Sequence, residues 1–132
     1  MIRPIRQRGF TLIEMMIVVS LILILVSIAL PVYNRSILHA KEAVLRQDLF
    51  TMRQVISQYT LDKEKAPQSL DDLVQAGYMK QIPRDPFTGE SNWTTDQEDS
   101  TVMTLNQTEP GIVDVHSASS LTSDQGTPYS SW

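Results

Sequence analysis

Residues 9–31 read GFTLIEMMIVVSLILILVSIALP, an almost wholly apolar segment from which the predicted fold follows. From Phe10 to Leu30 it holds 21 residues, of which Glu14 is the only ionisable one. As a helix the run is about 31 Å long, which is enough to cross a bilayer core of roughly 30 Å. We therefore predict one membrane-spanning helix over residues 10–31.

Glu14 is expensive inside this apolar run. A charged side chain at mid-bilayer costs roughly 2.5–3.5 kcal/mol on insertion scales, and a position one turn from the edge costs less. The carboxylate still calls for a cation, yet no Lys, Arg or His occurs between Phe10 and Leu30. Two interpretations are open: the side chain reaches up to the lipid headgroups, or a cation comes from the flank or from another molecule.

The residues around Gly9 form a motif with several parts at fixed spacing. Residues 6–14, RQRGFTLIE, resemble the processing site of the type IV pilin and pseudopilin superfamily. The resemblance implies that a prepilin peptidase removes a basic leader, residues 1–9, by cutting between Gly9 and Phe10. It also implies that Phe10 is then N-methylated, and that Glu14 acts in assembly.

The implied cleavage would supply the missing cation. A new α-amino group at Phe10 normally has a pKa near ~8 and would carry a positive charge. In an apolar filament core it could offset the charge of Glu14 on a neighbouring subunit, whereas either charge alone would be costly. The resemblance therefore implies a homo-oligomer, a helical filament whose axial register this pair would set.

An ordinary secretory signal is an alternative for the first 30 residues, because Ser27-Ile28-Ala29 loosely resembles a small-x-small cleavage site. The apolar run is longer than the typical signal core of about 7–15 residues, which counts against it. Three arginines stand close before the run, denser than the basic residues that follow it. This asymmetry favours a single-pass protein with a cytoplasmic N-terminus and its head on the other side.

The composition of the chain argues against several classes of function. The chain of 132 residues carries a net charge of −4, which becomes −7 without the three leader arginines, so a nucleic-acid-binding surface is not expected. The absence of cysteine excludes disulfides. The sequence shows no phosphate-binding loop or nucleophile motif, and His39 and His116 are isolated, so we do not expect an enzyme.

Residues 32–66 predict an amphipathic continuation of the membrane helix, with a helix kink at Pro31. The predicted apolar stripe has a 3.6-residue period. Its members are Leu38, Leu45, Leu49, Met52, Ile56 and Tyr59, widened by Ile37, Val44 and Val55, with Glu42 among the polar residues assigned to other faces.

Residues 67–132 predict a small α+β head with a C-terminal loop. A short helix is expected over residues 69–77, capped by Ser69 and Asp72 and closed by Gly77. Residues 83–89, PRDPFTG, predict a fixed turn in which Asp85 is a turn carboxylate. Three antiparallel strands are expected at residues 92–95, 101–105 and 111–116. The predicted fold class is thus a long N-terminal helix packed on a small antiparallel sheet.

Residues of the head indicate which branch of this superfamily the chain resembles. The segment Gly77-Tyr78-Met79, followed by the turn at residues 83–87, is similar to the middle of the major pseudopilins of type II secretion systems, with Met79 where leucine is usual. In that family a C-terminal loop holds calcium. The resemblance implies that Asp124, helped by Ser117, Ser119 and Ser123, would bind the ion here, although the family's loop usually has more aspartates and glycines. Pro128, Tyr129 and Trp132 are expected to anchor this tail.

The resemblance implies a structural subunit of a pseudopilus that drives protein export by type II secretion. Its implied partners are prepilin peptidase, minor pseudopilins and an inner-membrane assembly platform, and its implied location is the bacterial inner membrane, with the filament in the periplasm or at the cell surface. One alternative is a type IV pilus major pilin, serving adhesion, motility or DNA uptake, which the absent cysteines and the turn count against. The other is a monomeric single-span membrane protein.

Overall fold

The computed structural model describes residues 9–98 and 109–132. Two helices precede an antiparallel pair of strands and a short 3₁₀ turn. They are α1 Leu12–Lys63, α2 Leu70–Gln75, β1 Thr94–Gln97, β2 Ile112–His116 and the turn Tyr129–Ser131. This arrangement confirms the predicted α+β class, with one long N-terminal helix and a small antiparallel sheet.

The chain divides into two compact units, Met1–Leu38 and His39–Trp132. In the first unit α1 begins at Leu12, and helical structure runs through Pro31 without a break. Continuity there agrees with the prediction that proline need not end the helix. A kink at Pro31 stays a prediction.

The second unit is built on one face of α1. Its buried residues recur every three or four positions: Leu45, Leu49, Met52, Ile56 and Tyr59. These side chains form one core with Leu73 of α2, Trp93, Ile112 and Val115 of β2, and Tyr129. The predicted stripe is therefore confirmed from Leu45 onward.

The edges of the predicted stripe are wrong. Ile37 and Val44 are 40% and 50% exposed, so they do not widen the buried face. Glu42, which we assigned to a polar face, is only 5% exposed. It lies three residues before Leu45 and therefore on the same helical face.

Helix α2 confirms the predicted cap. The Ser69 hydroxyl accepts from the backbone N–H of Asp72, and the Asp72 carboxylate accepts from the backbone N–H of Ser69, which is a complete capping box. At the other end, Gly77 has φ of +82° and the Tyr78 N–H donates to the carbonyl of Leu73. This Schellman-type closure is why a glycine follows the helix.

The two strands pair antiparallel, with Thr94 facing His116 and Asp96 facing Asp114. The pairing shifts between Asp96 and Gln97. The strands predicted at residues 92–95 and 111–116 are present within two residues of their predicted ends. The strand predicted at residues 101–105 lies outside the described residues.

The tail is anchored by its aromatic residues, as predicted. Tyr129 is 1% exposed, stacks on Phe87 with ring centroids 4.0 Å apart, and meets Trp132 edge-on at 5.0 Å. Arg46 of α1 covers the Trp132 ring at 4.4 Å. The end of the chain thus packs against the same helix face that carries the core.

Candidate functional site

The first turn of α1 organises the residues predicted for processing and assembly. The Thr11 hydroxyl accepts from the backbone N–H of Glu14 at 3.2 Å and so caps the helix. A threonine followed three residues later by glutamate is the sequence signature of a helix N-terminus. Glu14 therefore sits in the first turn, where a carboxylate also complements the helix dipole.

Glu14 forms no ion pair with another residue of the described ranges, 9–98 and 109–132. Phe10 is 78% exposed, four positions before it. A Cβ added at Gly9 would meet no atom within 4 Å, so packing does not require glycine there. The structure brings the three predicted residues to one end of the helix, while cleavage, methylation and pairing stay predictions.

The helix beyond Glu14 exposes a continuous apolar surface. Its large hydrophobic side chains from Leu12 to Leu30 are between 44% and 79% exposed. The hydroxyls of Ser20 and Ser27 donate to the carbonyls of Met16 and Ile24, at 2.7 Å each, so they need no water. By length and composition, α1 is the one helix in the described residues that could cross a membrane.

A second cluster joins the tail to α1. The buried Glu42 accepts a hydrogen bond from the Tyr129 hydroxyl at 2.9 Å, and its other oxygen lies 3.6 Å from His39. Burial, then the hydrogen bond and the charge of Glu42, raise the pKa of Tyr129 to about 12. The tyrosine therefore stays a donor over the whole neutral range.

Arg53 makes two contacts with strand β2 and one with the end of the chain. Its guanidinium donates to the Asp114 carboxylate and to the backbone carbonyls of Val115 and Trp132, the latter two at 2.9 Å each. Partial burial by itself raises the pKa of Asp114. The hydrogen bonds from Arg53 and the Val115 N–H, with the charges of Arg53 and His116, outweigh burial, so the pKa of Asp114 is lowered.

Asp85 is a turn carboxylate, as predicted, and it also binds a residue outside the turn. It is fully buried, and one oxygen accepts from the backbone N–H of Phe87 at 2.8 Å. Its other oxygen accepts from the Ser117 hydroxyl. The turn at residues 83–89 is thereby tied to the start of the C-terminal loop.

The four residues predicted to bind calcium are engaged in other contacts. Ser117 donates to Asp85, Ser119 accepts from the Leu121 N–H, and Ser123 bonds to Thr127, whereas the Asp124 carboxylate lies 3.8 Å from His39. Calcium prefers six to eight oxygen ligands, with several carboxylates. Asp124 is the only carboxylate of the loop, so this donor set does not fit the ion well, and calcium binding stays a prediction.

Sequence reasoning missed Glu42, Arg53 and the contact of Asp85 with Ser117. Glu42 could have been found, because it lies in register with Leu45 and Leu49; its charge argued against burial. The Asp85–Ser117 contact spans 32 residues and the Arg53–Trp132 contact spans 79, so no local pattern indicates them.

Comparison with known proteins identifies a family motif in the segment that contains the first turns of α1. Residues 5–30 match the family model described as the prokaryotic N-terminal methylation motif. The chain is 32% identical over 100 residues to type II secretion system core protein G of Escherichia coli (strain K12), covering 62% of this chain and 68% of that protein. It is 30% identical over 132 residues to the protein of the same name from Pectobacterium carotovorum subsp. carotovorum, covering 85% and 75%.

Another relative has a different name. The chain is 34% identical over 74 residues to competence protein ComGC of Halalkalibacterium halodurans, covering 56% of this chain and 72% of that protein. No solved structure matches the chain.

The methylation motif, the exposed apolar helix and the small α+β head define a protein of the pilin and pseudopilin superfamily. Among its members, the relatives named type II secretion core protein G match over the widest span reported above, including the head. The chain belongs to the type II secretion system core protein G family.

Proposed function

We propose that this chain is a structural subunit of a pseudopilus that drives protein export by type II secretion. The observation that carries the proposal is the stretch of α1 over residues 12–30, whose apolar side chains are exposed throughout and whose first turn contains Glu14. Such a surface needs lipid or neighbouring copies to cover it. The secretion system is inferred from the relatives, which are named type II secretion system core protein G.

Processing prepares the subunit for assembly. Prepilin peptidase cuts between Gly9 and Phe10, and the new Phe10 amine is N-methylated and stays cationic. Until assembly, the helix anchors the protein in the inner membrane, with its N-terminus cytoplasmic and its head in the periplasm. The three arginines that stand close before the helix support this orientation.

The pair formed by the Phe10 amine and Glu14 favours assembly and fixes the axial position of each subunit in the filament. Lipid tails are as apolar as a neighbouring helix, so moving a subunit from bilayer to filament gains little from hydrophobic burial alone. A cation and an anion meeting in this low-dielectric core attract strongly, and each would be costly without the other. The amine of an incoming subunit therefore pairs with Glu14 of its neighbour at one axial position.

The subunit acts mechanically and carries out no chemistry itself. An inner-membrane assembly platform, with a separate ATPase, extracts subunits into a growing helical filament that pushes cargo outward. Minor pseudopilins are further partners of the filament. The tail clamped onto α1 through Tyr129 and Arg53 keeps the head compact while the helix is pulled.

Replacing Glu14 tests the proposal. We expect Glu14→Gln to insert in the membrane and lose its leader normally, and to form far fewer filaments, because the Phe10 amine loses its partner. Glu90→Gln, the same change at an exposed residue of the head, is the matched control. Sheared filaments counted by electron microscopy and subunit cross-linking in membranes give the yields. Equal filament yields from the two variants would refute the pairing.

A type IV pilus subunit is a second candidate, favoured by the competence relative. That match covers 56% of the chain, against 85% for a core protein G relative, so less of the chain supports this second candidate. Deleting the protein separates the two functions. Loss of an exported enzyme from the medium supports the pseudopilus, whereas loss of long surface filaments or of DNA uptake supports the pilus.

Calcium binding by Asp124, Ser117, Ser119 and Ser123 is a separate proposal that rests on the family resemblance. No step of assembly described above passes through the ion. Thermal unfolding measured in excess calcium and in chelator tests it, and an Asp124→Asn variant should abolish any difference.

A further inference from the structure

Three side chains at the sheet converge on one point outside the predicted calcium loop. Asp96 of β1 and Asp114 of β2 are paired across the strands, and His116 lies two residues further along β2 on the same face. The His116 Nε2 atom lies 3.1 Å from an oxygen of Asp96 and 3.6 Å from an oxygen of Asp114.

The other ring nitrogen of His116, Nδ1, already has a hydrogen-bond partner. Its Nδ1 lies 2.6 Å from the backbone carbonyl of Trp132, and a carbonyl only accepts, so Nδ1 carries a hydrogen. In the neutral ring Nε2 would then present a lone pair to two carboxylate oxygens. That arrangement is repulsive unless a positive centre, a proton or a metal ion, lies between them. Ring orientation by a backbone carbonyl is also typical of histidines that bind metals.

The spacing of the three atoms suits one metal ion. With ligand bonds of about 2.0–2.2 Å, tetrahedral geometry separates ligand atoms by roughly 3.3–3.6 Å. The two nitrogen–oxygen distances of 3.1 and 3.6 Å are close to this range, and all three ligand atoms lie within 4.8 Å of one another. Binding one ion would draw the carboxylate oxygens of Asp96 and Asp114 toward each other until all three atoms contact it.

We propose that Asp96, Asp114 and His116 form a binding site for a divalent transition-metal ion, with Zn²⁺ as the preferred occupant. One imidazole and two carboxylates suit zinc, with water as the fourth ligand, whereas calcium prefers oxygen ligands alone. The sequence holds no cysteine and only one other histidine, His39, so it offers no thiolate site that would compete.

The ion would act as a structural clip. It would join β1 to β2 through Asp96 and Asp114. Through His116 it would hold the Trp132 carbonyl, and through the second oxygen of Asp114 it would couple to Arg53 on α1. Because Arg53 brings a positive charge close to the site, the affinity for zinc is moderate.

Zinc titration of the full chain in detergent micelles tests the site, after removal of metals with a chelator. Calorimetry should show one zinc ion bound per chain, and thermal unfolding should move to higher temperature. Asp96→Asn, an exposed position at which circular dichroism should show an unchanged fold, should weaken binding about tenfold or more. Cobalt substitution, read by its visible spectrum, should show the intense bands of a four-coordinate site.

Two controls make the result specific. His39→Gln removes the only other histidine, and Asp71→Asn removes an exposed carboxylate of α2; both should bind zinc like the parent chain. A chain that shows no binding at millimolar zinc would overturn the proposal and leave a proton as the positive centre. Binding unchanged by Asp96→Asn, or abolished by His39→Gln, would overturn it equally.

Discussion

Glu42 is a carboxylate placed where the helix pattern calls for a hydrophobic residue. It is buried in register with Leu45 and Leu49, and the Tyr129 hydroxyl supplies its hydrogen bond. A buried carboxylate without a donor costs more than the net contribution of an ordinary hydrogen bond. The docking of the tail therefore depends on this one contact more than on its exposed residues.

Replacing Tyr129 with Phe measures that dependence. The change leaves Glu42 buried with one oxygen unpaired, so we expect a loss of about 1–3 kcal/mol in the free energy of unfolding. Tyr78→Phe is the matched control, because the Tyr78 hydroxyl also donates to a carboxylate, Asp62, but at an exposed site. Urea denaturation of both variants in micelles gives the values. Equal losses would show that burial of Glu42 has no special cost.

At the scale of elements, the local structures were predictable and the contacts between them were not. The stripe of α1 from Leu45 onward, the capping box of Ser69 and Asp72, and the glycine closure of α2 all follow from spacing and residue type. The Asp85–Ser117 contact does not, because it joins a turn to a loop 32 residues away. Periodicity indicates a face, whereas such a contact depends on where the tail docks.

The cap of α2 should show a defined pH dependence. Burial alone raises the pKa of Asp72. Hydrogen bonds from the backbone of Ser69 and Gln68 and from the Ser69 hydroxyl, with the charge of Lys65, outweigh it, so the pKa of Asp72 is lowered below 3.8. The stabilisation is therefore present above pH 3.8 and lost as the pH falls through the lowered pKa.

Asp72→Ala should thus cost about 1 kcal/mol at neutral pH and progressively less in acid. Asp71→Ala, the exposed neighbour in the same turn, should cost less at neutral pH. Urea unfolding across an acid pH series gives both curves. A difference between parent and Asp72→Ala that grows in acid would contradict the assigned role of the carboxylate.

The start of the C-terminal loop offers a third test. Ser117 donates to the buried Asp85, so Ser117→Ala should lower stability by about 1–3 kcal/mol whether calcium or chelator is present. If instead Ser117 acts as a calcium ligand, the loss should appear in calcium and vanish in chelator. Thermal unfolding in the two buffers distinguishes these outcomes, with Ser120→Ala, an exposed serine of the same loop, as the control.

In the whole molecule, the two units differ in whether their apolar side chains are covered. The unit His39–Trp132 covers its own core and ties down its tail, while the described part of Met1–Leu38 leaves its apolar side chains uncovered. The apolar surface of the first unit would be covered only in a membrane or in a polymer. The sequence predicts an uncovered apolar segment, because the run from Phe10 to Leu30 has no polar face to turn toward water, whereas the boundary after Leu38 was not predicted.

The central claim is that a new amine at Phe10 neutralises Glu14 of the next subunit. Mass spectrometry of the N-terminal peptide from the protein purified from its native cells tests its first requirement most directly. If the pair forms, the native chain begins with N-methylated Phe10 and lacks residues 1–9. A native chain that still begins at Met1 would have no such amine and would rule the pair out.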